Sequence, residues 1–275
     1  MIKIVADSAC DFTPLMLEKG VTRIPFTLQP GETVYKDTND LDKKAFVADL
    51  IANPRGRKTA APSPQAYYEA YKEGDGVFVV TVSKHLSSSY ESALAAKNMY
   101  IEDLGDKFIY VIDSQSASVG QTLIVHELIR LAEKGLSCNE IAKEIEVFVK
   151  TRHTYFILEC FNTIVDTGRM NSYVAKLASM LNIVPICMGD EGKMALLTQT
   201  RGRKKAYSKL AEVIKQTGDV DDNRTLAIAH VDYEREANVL SAYLTEKLGF
   251  KNSFICDGTG LVYTYADYHG LVIAF

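Results

Sequence analysis

The 275-residue sequence lacks the features that identify several common classes of protein. No apolar stretch approaches the roughly 18 residues that a membrane-spanning helix needs, and the N-terminal stretch MIKIVADSAC contains no long apolar signal segment. Long lysine or arginine runs are also missing, and a formal net charge of −4 gives little attraction to a polyanion. These absences argue against stable membrane insertion and against a nucleic-acid partner, and they predict a cytoplasmic protein.

Cysteine and histidine usage excludes two further kinds of site. The five cysteines are odd in number and widely spaced, and no C-x-x-C pair is present. This pattern argues against both a disulfide framework and a zinc ribbon, and it favours reduced thiols. The five histidines form no H-x-x-x-H or H-E-x-x-H pair, so no metal site is expected.

Motifs of the best-known enzyme classes are absent as well. The sequence has no G-x-S-x-G segment before a helix, no G-x-G-x-x-G after a strand and no P-loop. Hydrolase and dinucleotide-binding interpretations therefore lose their main support, and no cofactor is expected. Asp7, Asp11 and Asp113 end predicted strands, where a metal or a general acid could lie. Aspartate also closes turns by bonding its own backbone, and we favour that interpretation.

Strands and helices alternate through the first half of the chain. This order predicts right-handed crossovers in a mainly parallel sheet covered by helices on both faces. The first half is therefore predicted to be an N-terminal α/β domain, a three-layer sandwich over 1–155 with a small hairpin insertion near 25–40. The predicted strands are 2–7, 23–29, 76–82 and 107–113, and the predicted helices are 42–53, 63–72, 89–103 and 118–134.

The second half has a different pattern. A helix at 138–152 connects the halves, and the short turn MGDEGKM joins two strands so tightly that they must be antiparallel. We therefore predict a C-terminal α/β domain with a mixed sheet over 156–275. The predicted strands are 154–160, 182–190, 193–200, 225–231 and 251–257, and the predicted helices are 171–181, 202–217 and 233–248.

Hydroxyl-rich segments follow several strands of the first half. HLSSSYESA, ADSACD and DSQSASVG each come directly after an apolar run, and KTAAPSP precedes a helix. The carboxyl ends of parallel strands share one edge of a sheet, and helices starting there offer free N–H groups to an anion. Ser88 and Ser89 begin one such helix, and Ser118 lies at the start of another. Simple helix capping explains each segment equally well on its own.

Arginines are concentrated in two segments of the second half. DTGRM contains Arg169, and TRGRKKA contains Arg201 and Arg203. Arginine suits a phosphate or an acidic partner surface, although a solvated basic face is the simpler explanation.

Taken in series, these segments resemble the DegV family of bacterial fatty-acid-binding proteins. The chain has TAAPSP where that family has T-S-Q-P-S-P, and HLSSSYESA where it has L-S-G-T-Y-x-S-A. KIVADSACDFTP, VIDSQSASVGQ, DTGRM and TRGRKKA also match, in the same order along nearly the whole chain. The resemblance implies two α/β domains that bury a long-chain fatty acid in a tunnel between them. It also implies a partner, a dihydroxyacetone-kinase-like fatty-acid kinase, which phosphorylates the bound carboxylate.

The resemblance also implies roles for individual residues. Thr59 and Ser87 are expected to contact the carboxylate, with the N–H groups of Ser88 and Ser89 nearby. Arg169 is expected to face the partner or the transferred phosphate. The family's C-terminal H-T-G-P-G is replaced by YADYH, which places Tyr265 at the histidine position.

Three function classes follow. The first is a lipid-binding protein that is not itself an enzyme and presents a fatty acid to a kinase, with Thr59, Ser87, Ser88, Ser89, Ser118 and Tyr265 as candidate ligand contacts and Arg169, Arg201 and Arg203 as candidate partner or phosphate contacts. The second is a small-molecule phosphotransferase or phosphoester enzyme that uses the basic second domain and the strand-end aspartates. The third is an anion-binding regulatory module without a lipid.

Overall fold

A computed structural model describes residues 1–221 and 223–275 of the chain. The strands of these residues form three sheets. The strands are β1 (Ile2–Asp7), β2 (Thr22–Ile24), β3 (Thr27–Gln29), β4 (Tyr35–Lys36), β5 (Lys58–Ala60), β6 (Gly76–Thr81), β7 (Phe108–Asp113), β8 (Thr154–Ile157), β9 (Ile183–Asp190), β10 (Lys193–Arg201), β11 (Thr225–His230), β12 (Asn252–Asp257) and β13 (Leu271–Ala274). The helices are α1 (Pro14–Glu18), α2 (Lys43–Ala52), α3 (Pro64–Tyr71), α4 (Ser89–Leu104), α5 (Val119–Glu133), α6 (Cys138–Lys150), α7 (Asn162–Asp166), α8 (Ser172–Ala178), α9 (Arg203–Thr217), α10 (Glu234–Leu248) and α11 (Gly260–Ala266).

The first sheet is parallel throughout, in the order β2-β1-β6-β7. Every residue of β6 is buried, as expected for a central strand covered on both faces. Side chains of α3 and α4 pack with Val77 and Val79 on one face. Side chains of α5 and α6 pack with Phe78 and Val80 on the other. The predicted three-layer sandwich is confirmed.

The second large sheet is mixed, in the order β10-β9-β8-β13-β11-β12. β11 and β12 are parallel, whereas β13 runs antiparallel to both β8 and β11. In β8 and the residue after it, side chains alternate between two cores. Tyr155 and Ile157 pack with α9 and α10, and Phe156 and Leu158 face the first half of the chain. This alternation follows from the two-residue period of a strand.

A small antiparallel sheet, β4-β3-β5, is inserted in the sequence between β2 and β6 of the first sheet. Leu28 of β3 packs in the same buried cluster as Phe156 and Val262 from the second half. The predicted single strand at 23–29 is wrong. Pro25 has no N–H to donate, and the chain leaves the parallel sheet there and enters the small one.

The tight turn between β9 and β10 is confirmed. Glu191 and Gly192 both have positive φ, 46° and 82°, as in the two-residue turns that match strand twist. The Ser83 hydroxyl donates a 2.7 Å hydrogen bond to the carbonyl of Gly192, so the turn touches the first half. A Cβ at Gly192 would lie 2.5 Å from the Ser83 Oγ, which makes glycine necessary for this contact.

Several elements differ from the sequence-based expectation. Helices α1, α7 and α11 and strand β13 were not predicted, and the predicted helix 171–181 ends at Ala178. The predicted boundary between 1–155 and 156–275 falls inside β8, whose residues pair within the mixed sheet. That division of the chain into domains stays a prediction.

Asp7, at the end of β1, connects three neighbouring segments. Its buried carboxylate accepts hydrogen bonds from the N–H of Val82 at 2.9 Å, the hydroxyl of Ser89 at 2.7 Å and the side-chain amide of Gln121 at 2.9 Å. It also accepts from the N–H of Ala9. Burial raises the pKa of Asp7, and the four hydrogen bonds oppose that rise. Asp7 therefore has a structural role, in keeping with the interpretation that the strand-end aspartates bond to nearby backbone groups.

Replacing Asp7 with alanine should destabilise the protein strongly, because three buried donors, from the residue after β6, from α4 and from α5, would lose their acceptor. We expect a loss of about 2–4 kcal/mol in the free energy of unfolding, measured by urea denaturation. Asp113→Ala is the matched control, since Asp113 also ends a parallel strand but accepts from the N–H groups of the loop residues Lys84 and Gln115 and pairs with the half-exposed Lys84 ammonium at 3.8 Å. Equal losses in the two variants would contradict the connecting role.

Candidate functional site

A cavity lies between the first sheet's carboxyl edge and the inner face of the mixed sheet. The space within it and in its open mouth together amounts to about 900 Å³. Both halves of the chain contribute to it. The lining residues are Ala9, Phe26, Thr59, Val82, Leu86, Ser87, Gln115, Ser116, Ala117, Ser118, Thr154, Phe156, Leu158, Ile164, Arg169, Gly189, Gly192, Lys193, Met194, Leu261, Val262, Tyr265, Ala266 and Val272.

Most of this wall is apolar. Phe26, Phe156 and Leu158 are almost fully buried and belong to the largest cluster that spans both halves. Ala117 and Ala266 have small side chains and leave space between these bulky neighbours. A wall of this kind favours a ligand with a large apolar part, since burying apolar surface gives the main gain in free energy.

One group of lining residues is polar, and we call Thr59, Ser87, Arg169 and Tyr265 the polar cluster. The hydroxyls of Thr59 and Tyr265 are 2.8 Å apart and hydrogen-bonded. The Arg169 guanidinium carbon lies 5.1 Å from the centre of the Tyr265 ring, and its Nε donates to the carbonyl of Leu86 at 2.6 Å. The structure therefore brings these four predicted residues to one cavity.

Tyr265 is carried by α11, whose first turn is bound by two aspartates of the first half. Asp37 accepts from the N–H groups of Gly260 and Leu261, both at 3.0 Å, and Asp11 accepts from that of Thr259 at 3.0 Å. Burial raises the pKa of Asp37 and raises that of Asp11 to about 7. The carboxylates satisfy N–H groups that have no partner within the helix.

The other end of α11 is bound by an arginine. Arg57, buried and also from the first half, donates to the carbonyl of Thr264 and to the carboxylate of Asp267, each at 3.2 Å. It donates as well to the carbonyl of Leu50, at the end of α2. Negative groups at the start of α11 and a positive group at its end both complement the helix dipole. These contacts fix the position of the Tyr265 hydroxyl.

The other predicted ligand contacts differ in position. Ser118 lines the cavity, with its hydroxyl donating to Asp11. Ser88 is exposed, and Ser89 is buried with its hydroxyl bonded to Asp7 and to the Tyr67 hydroxyl. The N–H of Ser89 points to the Ser87 Oγ at 3.3 Å. Neither Ser88 nor Ser89 is part of the cavity wall, because α4 starts with its serines turned towards solvent and towards the first sheet.

Arg201 and Arg203 also lie outside the cavity wall. Arg201 is exposed at the end of β10. Arg203, at the start of α9, pairs with Glu159 and lies over the ring of Tyr233, with 4.7 Å from guanidinium carbon to ring centre. Arg201 lies on the outer surface of the second half, whereas the Arg203 side chain is only 19% exposed and also donates to the carbonyl of His269.

Metal chemistry finds no support in the described residues. Across 1–221 and 223–275, no three histidine, cysteine, aspartate or glutamate side chains are grouped closely enough to hold an ion. All five cysteines are free. Over the same residues, no helix combines the length and the apolar character that crossing a membrane requires.

The comparison with known families agrees with this geometry. The DegV model, described as "Uncharacterised protein, DegV family", matches residues 1–274. The chain belongs to the DegV family. A DegV domain-containing protein of Streptococcus pyogenes serotype M1 is 33% identical over 279 residues, covering 99% of this chain and 98% of the relative.

Solved DegV structures share the whole fold. A DegV family protein from Ruminococcus gnavus, refined with vaccenic acid, is 33% identical and superposes with a TM-score of 0.92, covering 100% of this chain and 99% of its own. The Fatty Acid Kinase (Fak) B3 protein of Streptococcus pneumoniae, loaded with linoleic acid, is 29% identical with a TM-score of 0.91 and the same coverage. The predicted fold class and family are confirmed.

Sequence reasoning missed part of this DegV cavity. Leu261, Val262 and Ala266 come from α11 and Val272 from β13, two elements that were not predicted. A signal for α11 was present in Thr259, whose hydroxyl caps the Val262 N–H. The glycines at 258 and 260 hid it, because glycine is typical of loops.

Asp11→Asn should change how stability depends on pH. The pKa of Asp11 rises from the ordinary 3.8 to about 7 in the fold, so the folded state holds its proton more tightly than the unfolded state. The resulting stability is fully present below pH 3.8 and is lost as pH rises to about 7. Asparagine keeps an acceptor for the Thr259 N–H and cannot ionise.

Over that pH range the free energy of unfolding should therefore fall less steeply with rising pH in the variant than in the unmodified chain. The two slopes should differ by up to about 1.4 kcal/mol per pH unit. Urea titrations at several pH values measure the two slopes. Parallel curves for the two proteins would show that Asp11 does not hold a proton near neutrality.

Proposed function

We propose that this protein binds a long-chain fatty acid in the cavity and presents its carboxylate to a fatty-acid kinase. The observation that carries the proposal is an apolar cavity between two α/β halves whose wall contains one cluster of hydroxyl and guanidinium groups. The relatives described with vaccenic acid and with linoleic acid support it. In this proposal the two domains are 1–155 and 156–275, and the protein works in the cytoplasm without a cofactor.

The polar cluster has the hydrogen-bonding capacity that a carboxylate needs. The Thr59 and Tyr265 hydroxyls share one hydrogen bond, which uses one of their two protons and leaves the other free to donate. The Ser87 hydroxyl adds a donor, and Arg169 adds positive charge beside the Tyr265 ring. A carboxylate buried without such donors would be costly, whereas hydroxyl donors keep it ionised.

The acyl chain would supply most of the affinity. At ~0.8 kcal/mol for each buried CH₂, a sixteen-carbon chain gains about 10 kcal/mol before the cost of ordering it. The polar cluster then sets which end of the molecule lies at Tyr265.

In this proposal a partner protein is the kinase, since the sequence has no P-loop. A dihydroxyacetone-kinase-like kinase would transfer phosphate from ATP to the carboxylate held at the polar cluster. Arg169 lies in the wall beside that carboxylate, where it can face the transferred phosphate. Arg201 is exposed on the outer surface of the same half, with the partly buried Arg203 two residues further on, and an acidic partner surface would meet them there.

Tyr265→Phe should weaken fatty-acid binding, because the ring stays while the hydroxyl that bonds to Thr59 and can donate to the carboxylate is removed. We expect about a tenfold or greater rise in Kd, as for other hydrogen bonds to charged groups. Tyr263→Phe, on the same helix, is the control, since the Tyr263 hydroxyl bonds to Asp257 at the end of β12 and to the N–H of Asp232, and Tyr263 does not line the cavity.

Solvent extraction of the purified protein and mass spectrometry of the extract test the ligand itself, and fluorescence titration with a fatty acid gives Kd. No recovered fatty acid and no binding of an added one would refute the proposed function. Equal Kd values for the Tyr265 and Tyr263 variants would show that the carboxylate lies elsewhere.

Arg201→Gln should slow phosphorylation of the fatty acid by the kinase without weakening fatty-acid binding. Its side chain is exposed and distant from the cavity wall, so fatty-acid Kd should stay unchanged. With a purified kinase of the dihydroxyacetone-kinase-like type and ATP, acyl-phosphate formation should slow at subsaturating protein. Arg130→Gln, which removes an exposed partner of Glu127 on α5, should leave the rate unchanged. Equal rates for both variants and the unmodified chain would exclude Arg201 from the kinase contact.

A further inference from the structure

Ser83, two residues after β6, is fully buried and does not line the cavity. Its N–H donates to the carbonyl of Ser116 at 2.8 Å. Its carbonyl accepts from the N–H of Leu86 at 2.9 Å and from that of Ser87 at 3.2 Å. The chain therefore turns around Ser83, and this turn brings Ser87 to the cavity wall.

The Ser83 hydroxyl connects this turn to the second half. It donates its proton to the carbonyl of Gly192 at 2.7 Å, and its oxygen accepts from the N–H of His85 at 3.2 Å. Gly192 belongs to the turn between β9 and β10 and lines the cavity. One buried hydroxyl thus fixes residues 83–87 relative to a part of the cavity wall that comes from the second half.

Residues 83–87 in turn determine the positions of two members of the polar cluster. Ser87 is one of them. Arg169 is the other, because its Nε donates to the carbonyl of Leu86 at 2.6 Å. The remaining two members are carried by β5 and α11. The four side chains can converge on one carboxylate only while residues 83–87 keep this position.

Loss of the Ser83 hydroxyl would affect this loop more than the sheet beside it. The hydrogen bonds of the Ser83 N–H and carbonyl do not involve the side chain, so they would be kept. The Gly192 carbonyl would lose the proton that it accepts, and the N–H of the exposed residue His85 would turn to water. We therefore expect residues 83–87 to become less fixed while the first sheet stays intact.

We propose that Ser83 is a positioning residue for the carboxylate end of the fatty acid. Its hydroxyl holds residues 83–87 against the turn between β9 and β10, and it acts on the ligand only through Ser87 and Arg169. The gain is pre-organisation, because donors that are already in place cost little ordering free energy when the ligand binds. This inference rests on the proposed function, since it needs a carboxylate at the polar cluster.

Ser83→Ala tests the role through binding. Kd for hexadecanoic acid, measured by displacement of a fluorescent fatty acid, should rise about fivefold, the effect of one ordinary hydrogen bond. In a chain that already carries Ser87→Ala, the same change should raise Kd only about twofold, because one of the two groups that Ser83 positions is gone.

The pKa of the bound ligand gives a readout that a loss of stability alone would not change. Hydrogen bonds to the ionised form lower the pKa of a carboxyl group. With hexadecanoic acid labelled with ¹³C at its carboxyl carbon, the ligand pKa followed by NMR should therefore rise in Ser83→Ala and in Ser87→Ala. Ser241→Ala, a buried serine on α10 outside the cavity wall, is the matched control and should change neither Kd nor the ligand pKa.

Thermal denaturation shows whether each variant is folded. Ser83→Cys, which is similar in size but donates only weakly, repeats the test if the alanine variant unfolds. If the Ser83 variant leaves Kd and the ligand pKa unchanged, or if Kd rises equally with and without Ser87→Ala, the inference is overturned while the unmodified chain still binds hexadecanoic acid. If the unmodified chain binds no fatty acid, the proposed function fails and this inference fails with it.

Discussion

The contact between buried carboxylates of the first half and the start of α11 is the constraint on which the cavity depends. Asp11 and Asp37 satisfy three consecutive N–H groups, and Arg57 satisfies the opposite end of the same short helix. A helix of seven residues has little stability by itself, so its position comes from these external partners. Because α11 forms part of the cavity wall and carries Tyr265, the geometry of the site is set by residues far from it in sequence.

Strand-end aspartates therefore have a different role from the one that an enzyme would give them. Asp7 binds the loops and helices of the first sheet, and Asp11 binds that sheet to the second half. Each carboxylate is buried and surrounded by donors, and neither lines the cavity. Residues that a phosphotransferase could use for acid–base chemistry thus have structural roles, Asp7 within the first half and Asp11 between the two halves.

Local patterns were sufficient for most of the fold. Strong apolar runs such as β6 and capped helices such as α3 were predicted close to their observed bounds, because their burial pattern and their caps are encoded within a few residues. Local patterns did not predict β13, a four-residue strand whose position depends on pairing with β8 and β11 on either side.

Motif order predicted four residues that line the cavity, Thr59, Ser87, Arg169 and Tyr265. That they meet at one cavity depends on packing between the halves. Ser88 and Ser89 do not line the cavity, since motif order does not tell which way a serine at a helix start will turn, and their contact with a ligand stays a prediction.

The two faces of strand β8 pack into different cores. Its odd-numbered side chains, Tyr155 and Ile157, pack against α9 and α10, while Phe156 and the following Leu158 face the cavity. Side chains on opposite faces of a strand do not touch, so a change in the shape of one face need not disturb the packing of the other. Ligand preference can therefore diverge among relatives by single substitutions on the inner face. An insertion or deletion of one residue would exchange the two faces and would damage both cores at once.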